Sequence, residues 1–486
     1  MKCERTFERV LMTEHKPSSF LDRTLSNLRR GWQSIAGSSY DEDAASTRPN
    51  LPDEDAGRIL EQMQECLDNK GGEVSARTKA AALGRVYLAL DKSGREKFLR
   101  LMAGNFGTDA KTVEAAIGKF QAADSDAARL NAQIDIKNSL QAPWRRLLTQ
   151  FNALPDGVKF LVDLRAELLP LAKSDVGLKA MEHDLRDLLA SWFDVDFLEL
   201  RRIAWDSSSA SLLEKLIAYE AVHAIKGWED LKNRLDSDRR CYAFFHPRMP
   251  DEPLIFVEVA LVNGMAANVQ ALLDTNAPAS DPAAADTAIF YSISNAQKGL
   301  AGISFGNFLI KRVAQQLSQE FPNIKTFATL SPIPGFRHWL NELLAEGEPK
   351  LFSAEERKAL NAATGRKGGA KGSLISVLDT PAWIKDDVMA AALQGPLTRL
   401  AARYLAKEKS RGGRARDPVA HFHLSNGARL ERLNWLGDTS DKGLAQSAGL
   451  MVNYLYDLGR IEGNHEAYTS AGSVDMSSGV KAHLRG

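Results

Sequence analysis

From Ala56 to about Phe197 the apolar positions keep helical spacing. Phe98, Leu99 and Met102 fall at i, i+1, i+4. Val113, Ala116, Ile117 and Phe120 fall at i, i+3, i+4, i+7, and Trp144, Leu147, Leu148 and Phe151 repeat that pattern. Leu185, Leu188, Leu189 and Trp192 do so again. This period predicts amphipathic helices sharing a core. Leu154-Pro155-Asp156-Gly157 reads as a turn that starts a new helix. Beyond Trp205-Asp206-Ser207-Ser208-Ser209 the pattern changes. One more helix, with Ala221-Val222-His223 inside it, leads into strands. Cys241–Phe245 and Leu254–Val262 are rich in β-branched and aromatic residues, and the intervening HPRMPDEP predicts an antiparallel hairpin. Ala288–Ser294 and Lys325–Leu330 are two further strands, parallel if the helix between them crosses over. His421–Leu424, Asn426-Gly427 and Ala428–Trp435 predict a last hairpin, and Gln446–Leu458 a final helix.

The predicted fold class is therefore α + α/β: an all-helical bundle over residues 1–195, then a mixed-sheet domain over 196–486. The first 55 or so residues are polar and broken by Pro17, Pro49 and Pro52, and read as a short helix plus a mobile arm. The helical half carries no cluster of chemistry and reads as a packing or subunit-contact module. A chain of 486 residues with 44% hydrophobic and 26% charged residues fits a soluble two-domain protein. Zero net charge argues against a nucleic-acid partner. Cys3, Cys66 and Cys241 are scattered, which disfavours a disulfide framework or a metal site. No apolar run reaches the roughly 20 residues that cross a bilayer. Glu4, Glu8, Glu14 and Asp22 disfavour a transit peptide and the HLRG ending is not a peroxisomal signal, so the expected compartment is cytoplasmic.

The stretch from Ala288 to Leu340 holds the chemistry. Gly299, Gly302 and Gly306 lie between a strand and a helix whose apolar set includes Phe305, Phe308, Leu309, Val313 and Leu317. Glycines there let backbone approach a ligand, and a helix start favours an anion. A pyrophosphate is the obvious guest; a tight structural turn is the plain alternative. The G-x-x-G-x-x-x-G spacing and the missing acidic residue disfavour NAD. AATGRKGGAKG, Ala362–Gly372, is no Walker A loop. With KEKSRGGRAR, Lys407–Arg416, it reads either as a solvated loop or as a basic rim drawing phosphates. The order of elements is similar to the acetyl-CoA-binding core of the Gcn5-related N-acetyltransferase fold. Gln297 and Gly302 resemble its loop pattern, while Leu300 departs from it.

Ser331 ends a strand and is followed by Pro332-Ile333-Pro334-Gly335. It either caps a proline turn or serves a ligand. His423, in FHLSNGA, reads as a strand histidine, structural or catalytic. A serine-hydrolase elbow is excluded: no Gly-x-Ser-x-Gly surrounds Ser331, and the residue after it is Pro332, which has no N–H to offer an oxyanion.

LSPIPGF, FHLSNGA, GNFLIKRV, GLMVNYLY, EAVHAIKGWEDLKNRL and RRCYAF together resemble the malonyl-CoA decarboxylase family, closely over about Trp205–Tyr456. The resemblance implies a helical oligomerisation domain, an acetyltransferase-like catalytic domain, a tetramer, and conversion of malonyl-CoA to acetyl-CoA and CO2. It implies catalytic roles for Ser331 and His423, and a CoA loop at Ala301, Gly302, Ile303, Ser304, Phe305, Gly306 and Asn307, with Gln297 and Gly299 beside it. Ser304 stands where a glutamate is expected. Tyr454 is a further candidate for the pocket, or a packing aromatic. Decarboxylation leaves a thioester enolate, which needs donors aimed at its oxygen and a proton for its carbon. A histidine near its ordinary pKa suits the second task. The thioester is its own electron sink, so no cofactor is expected. The alternatives are a CoA-dependent acyltransferase and a non-catalytic CoA-responsive scaffold.

Overall fold

The computed structural model describes residues 32, 33, 35, 47–68, 72–193, 197–303, 309–346, 351–364 and 370–485. Two compact units emerge. One holds Met1–Phe193 together with Gln297–Ile303, the other Asp194–Ala296 and Ser304–Gly486.

The first unit is helical, as the apolar spacing predicted: α1 Asp53–Asp68, α2 Gly72–Ala89, α3 Lys92–Asn105, α4 Ala110–Gln121, α5 Asp126–Ser139, α6 Pro143–Asn152, α7 Gly157–Leu171 and α8 Val176–Trp192. Short polar side chains start several of them. Asp91, Asp109, Ser125 and Asp175 each accept a backbone N–H of the helix they precede, and Pro143 opens α6 where no N–H is needed. Asp156 turns left-handed (φ 53°) to begin α7. A Cβ at Gly157 would stand 1.9 Å from the Phe151 carbonyl, so the turn requires glycine. Phe98, Leu99, Met102, Leu147, Leu148 and Phe151 are buried as expected. Trp32 and Phe151 pack on Phe160 at ring separations of 4.8 and 5.0 Å. The periodic face of α4 behaves differently. Ala116 is buried there, but Ile117 is 40% exposed, and on α5 Leu130 and Ile134 are 59% and 50% exposed.

The second unit is built on a mixed sheet: β1 Glu199–Ile203, β2 Arg239–His246, β3 Met249–Val262, β4 Thr287–Asn295, β5 Thr326–Thr329, β6 Ser331–Pro332, β7 Arg429–Asn434 and β8 Met451–Leu455. The order is β1-β2-β3-β4-β5-β8-β6, with β7 on β8. Strands β1 to β4 pair antiparallel, β4 and β5 parallel, and β8 antiparallel to β5, β6 and β7. This is a mixed sheet, as expected from the sequence. A bulge at β3–β4 near Tyr291 shifts the register between Glu258 and Val259. Beyond Thr329 the chain parts from β4 and stays paired with β8, so Ser331 sits where β4 and its neighbour part. Helix α9 Ala210–Tyr219 and helix α10 Trp228–Arg234 precede β2; α11 Leu309–Glu320 links β4 to β5. Then come α12 Phe336–Glu346, α13 Asp387–Ala406 and α14 Pro418–Ser425.

Four expectations are corrected. Ala221-Val222-His223 lie outside helix α9, because the Glu220 carboxylate accepts the N–H groups of Val222 and His223, both at 2.8 Å. MPDEP belongs to β3, where register shifts accommodate Pro250 and Pro253. His423 is on a helix, not a hairpin strand: Asp417 caps α14, Pro418 opens it, and Gly427 (φ 80°) closes it. Tyr454 is on strand β8, not on a final helix, since the left-handed pair Ala448-Gly449 stops the preceding short helix. Of the two basic segments, Gly365–Gly369 lies outside the described residues. Lys407–Arg416 closes on itself through a bridge between Lys409 and Ala415.

Candidate active site

Ser331 and His423, 92 positions apart, meet. Ser331 Oγ lies 3.0 Å from His423 Nε2, and both residues are buried. The serine hydroxyl donates to Thr329 Oγ1 at 2.8 Å. Its oxygen is then free to accept the Nε2–H of the ring. On the other side His423 Nδ1 is 2.8 Å from the Tyr456 hydroxyl, which completes the Nε2–H tautomer by donating to Nδ1. Tyr454 stacks on the imidazole at 4.5 Å, its hydroxyl buried and without a hydrogen-bond partner among the described residues. Burial pushes the His423 pKa down to about 3, so the resting ring is neutral. That departs from the expectation of a histidine near its ordinary pKa. Burial also raises the Tyr454 and Tyr456 phenols.

Local architecture explains why these groups stay in place. Pro332 and Pro334 stiffen the turn after Ser331. Thr329 receives the Tyr454 N–H at 3.1 Å on its hydroxyl, and its carbonyl receives Asn453 Nδ2 at 2.6 Å. Strand β8 is thereby fixed to the end of β5, two residues before the serine. Thr329, Asn453 and Tyr456 were not singled out from sequence. Tyr456 lies two residues beyond Tyr454, and the period-2 reading of a strand, had it been applied to GLMVNYLY, would have linked the two.

Of the glycine loop, Ser304, Phe305, Gly306 and Asn307 lie outside the described residues, as does Phe308. The described part belongs to the helical unit. Gln297 is buried and precedes a single 3₁₀ turn, Lys298–Leu300. Gly299 packs so tightly on α7 that a Cβ would stand 1.7 Å from the Val162 carbonyl. Arg165 of α7, itself buried, donates to the carbonyls of Gly299 (2.6 Å) and Ala301 (2.9 Å), and Glu182 holds the guanidinium at 2.7 Å. A trans peptide is planar, so turning the Ala301 carbonyl toward Arg165 turns the Gly302 N–H the opposite way. Ala301 and Gly302 are exposed, Gly302 with φ +74°, and Ile303 is buried. Among the described residues no three His, Cys, Asp or Glu side chains gather as a metal site would require.

Comparison with known proteins decides the family. A model described as "Malonyl-CoA decarboxylase C-terminal domain" matches residues 196–486, and one described as "Malonyl-CoA decarboxylase N-terminal domain" matches residues 106–193. The chain belongs to the malonyl-CoA decarboxylase family. Its relatives include the mitochondrial malonyl-CoA decarboxylase of the goose Anser anser anser, 38% identical over 421 residues that cover 83% of each chain. The mouse protein of the same name is 39% identical over 405 residues, 80% of this chain and 82% of its own. The crystal structure of malonyl-CoA decarboxylase from Rhodopseudomonas palustris is similar with a TM-score of 0.80 at 42% identity, covering 88% of this chain and 99% of that one. For the malonyl-CoA decarboxylase from Agrobacterium vitis the TM-score is 0.77 at 41% identity, with the same coverage. Within this malonyl-CoA decarboxylase family member, a buried Ser–His pair backed by two tyrosines is a set of neutral hydrogen-bond donors, suited to an oxyanion and to a proton transfer.

Proposed function

We propose that this protein decarboxylates malonyl-CoA to acetyl-CoA and CO2, with Ser331 and His423 as the working pair. The observation that carries the reading is the Ser331–His423 contact at 3.0 Å beside a residue, Pro332, that cannot donate to an acyl-enzyme oxyanion. Family membership supplies the substrate. In this reading His423 directs its Nε2–H at the thioester oxygen. Ser331 orients the departing carboxylate or relays a proton. The electron pair of the breaking C–C bond becomes the thioester enolate, whose carbon takes a proton through His423, and water restores that proton. Neutral donors in a dry site favour the enolate oxyanion without any earlier reorganisation. Tyr456 on Nδ1 keeps the ring in the needed tautomer, and the Tyr454 hydroxyl, unpartnered among the described residues, is available to substrate. The loop Gln297, Gly299 and Ala301–Asn307 takes the CoA pyrophosphate, a role that the outward Gly302 N–H supports. No cofactor is called on, because the thioester accepts the electrons.

We further infer self-association, in the expected form a homotetramer, supported by the exposed apolar residues of α4 and α5. The proposed compartment is cytoplasmic, a setting that the scattered thiols Cys3, Cys66 and Cys241 fit, although the goose and mouse relatives are named mitochondrial. Among the described residues no helix is long and apolar enough to cross a membrane.

Incubation with malonyl-CoA and mass spectrometry of the products is the test. Acetyl-CoA and CO2 without an added acceptor are expected. A requirement for an amine acceptor would instead favour an acyltransferase, and unchanged malonyl-CoA would favour a CoA-binding scaffold. Ser331→Ala and His423→Asn should each lower kcat by about 10² to 10⁴. Near-normal turnover in either variant removes that residue from the mechanism.

A further inference from the structure

The dyad is made of parts that reach one another from distant elements. Ser331 comes from β6 and His423 from the last turn of α14. One buried carboxylate touches both supports. Asp417 Oδ1 accepts the N–H groups of Val419 (3.0 Å) and Ala420 (2.9 Å), which begins α14 six residues before His423. Asp417 Oδ2 accepts the N–H of Gly335 at 3.3 Å, in the turn that leaves Ser331. The Tyr404 phenol from α13 is hydrogen-bonded to the same carboxylate. Asp417 is fully buried. The turn can come this close because residue 335 is glycine: a Cβ there would stand 2.2 Å from the Tyr404 hydroxyl.

We propose that Asp417 is a positioning residue of the reaction, clamping the serine turn to the histidine helix so that Ser331 Oγ and His423 Nε2 stay within hydrogen-bond reach. The inference rests on the decarboxylase reading for its kinetic consequence, not for its geometry. A helix cap alone needs one oxygen. The second oxygen is spent on Gly335, and that expenditure has no purpose in holding α14 itself. Misplacement of a catalytic pair by about 1 Å can cost about 10²-fold in rate, so the clamp is worth its burial. Burial raises the Asp417 pKa, while the backbone donors oppose that rise.

Asp417→Asn separates the two jobs. Its amide oxygen still caps α14, since asparagine is as good an N-cap as aspartate. Its NH2 cannot accept the Gly335 N–H. In the full-length protein the expected result is a melting temperature within about 3 °C of the parent, the shift that about 1 kcal/mol produces in a domain this size. The kcat for malonyl-CoA should fall about 10²-fold with KM little changed. In spectra of ¹⁵N-histidine-labelled protein, the His423 ring signals, assigned by their loss in His423→Asn, should shift as the contact with Ser331 loosens. Normal kcat, or a loss of rate that merely follows the unfolded fraction, overturns the proposal. If the Asn variant does not fold, Asp417→Ser keeps a capping oxygen too short to reach Gly335 and is read in the same way. If the parent protein leaves malonyl-CoA untouched, the decarboxylase reading fails. The ring signals alone then decide: shifted signals uphold the clamp and unshifted ones reject it.

Discussion

At the residue scale, the decisive fact is that His423 is neutral. Its folded pKa of about 3 lies below the ordinary value of 6.5 because burial penalises the charged ring. Between those two values the unfolded chain binds a proton that the folded one refuses. The stability carried by the neutral ring is therefore complete above about pH 6.5 and is lost as pH falls toward 3, by up to about 1.4 kcal/mol per pH unit. Denaturant unfolding at pH 7.5 and 5.5 should show this fall in the parent protein and a smaller one in His423→Asn. For the same reason the pH profile of kcat/KM should show no histidine step near 6.5 from this ring. A clear step there that disappears in His423→Asn would mean that the ring titrates normally. The two tyrosines should part company. Tyr456→Phe leaves Nδ1 without its donor and should lower kcat by about tenfold or more, on the order of the free energy of a buried hydrogen bond. Tyr454→Phe removes a hydroxyl that has no hydrogen-bond partner among the described residues. It should leave stability unchanged or raised, and lower activity only if that hydroxyl meets substrate.

At the element scale, legibility followed the strength of the local pattern. The helices of the first unit were readable because Phe98, Met102, Leu147 and Phe151 repeat at one period and are buried on one side. The central strands were readable because both faces are covered, so their sequences are continuously apolar. Failures came where two patterns competed. In DPVAHFHLS the alternation of Phe422 and Leu424 suggested a strand, but Asp417 and Pro418 supply a stronger helix start. In GLMVNYLY the apolar spacing suits either period, and the sheet decides it. Strand β1 was missed because ELRRI is charged, as an edge strand often is. Ser331 and His423 were found by family resemblance. Composition and spacing left both open, since no local rule ties a serine to a histidine 92 residues away. The correction at α14 carries its own test. Gly427 sits at φ 80° with the Ile461 carbonyl 2.1 Å from where a Cβ would be. Gly427→Ala should destabilise the protein by more than the roughly 1–2 kcal/mol of the backbone term alone, read by thermal unfolding.

At the scale of the whole molecule, the exposed residues on α4 and α5 set an expectation. Ile117, Leu130 and Ile134 sit on two helices that pack against each other, and a lone chain gains nothing by leaving them wet. Ile134→Asp should shift the sedimentation profile toward smaller species while the thermal unfolding of each chain changes by less than about 1 kcal/mol, as surface changes do. An unaltered assembly would show that this face is not the contact.

The small strip Gln297–Ile303 bears on how the protein could ever be divided. Its sequence neighbours on both sides belong to the sheet unit, yet its own contacts, Gly299 on Val162 and two carbonyls on Arg165, belong to the helices. The boundary in space thus does not coincide with any cut in the polypeptide. A fragment expressed from residue 196 onward would keep every strand and both members of the dyad, yet would strip the glycine loop of the arginine that sets its carbonyls. Such a fragment should bind CoA far more weakly than the whole chain in calorimetric titration. The two halves are thus not interchangeable modules: a helical half swapped in from elsewhere would restore the loop only if it brought its own equivalents of Val162, Arg165 and Glu182.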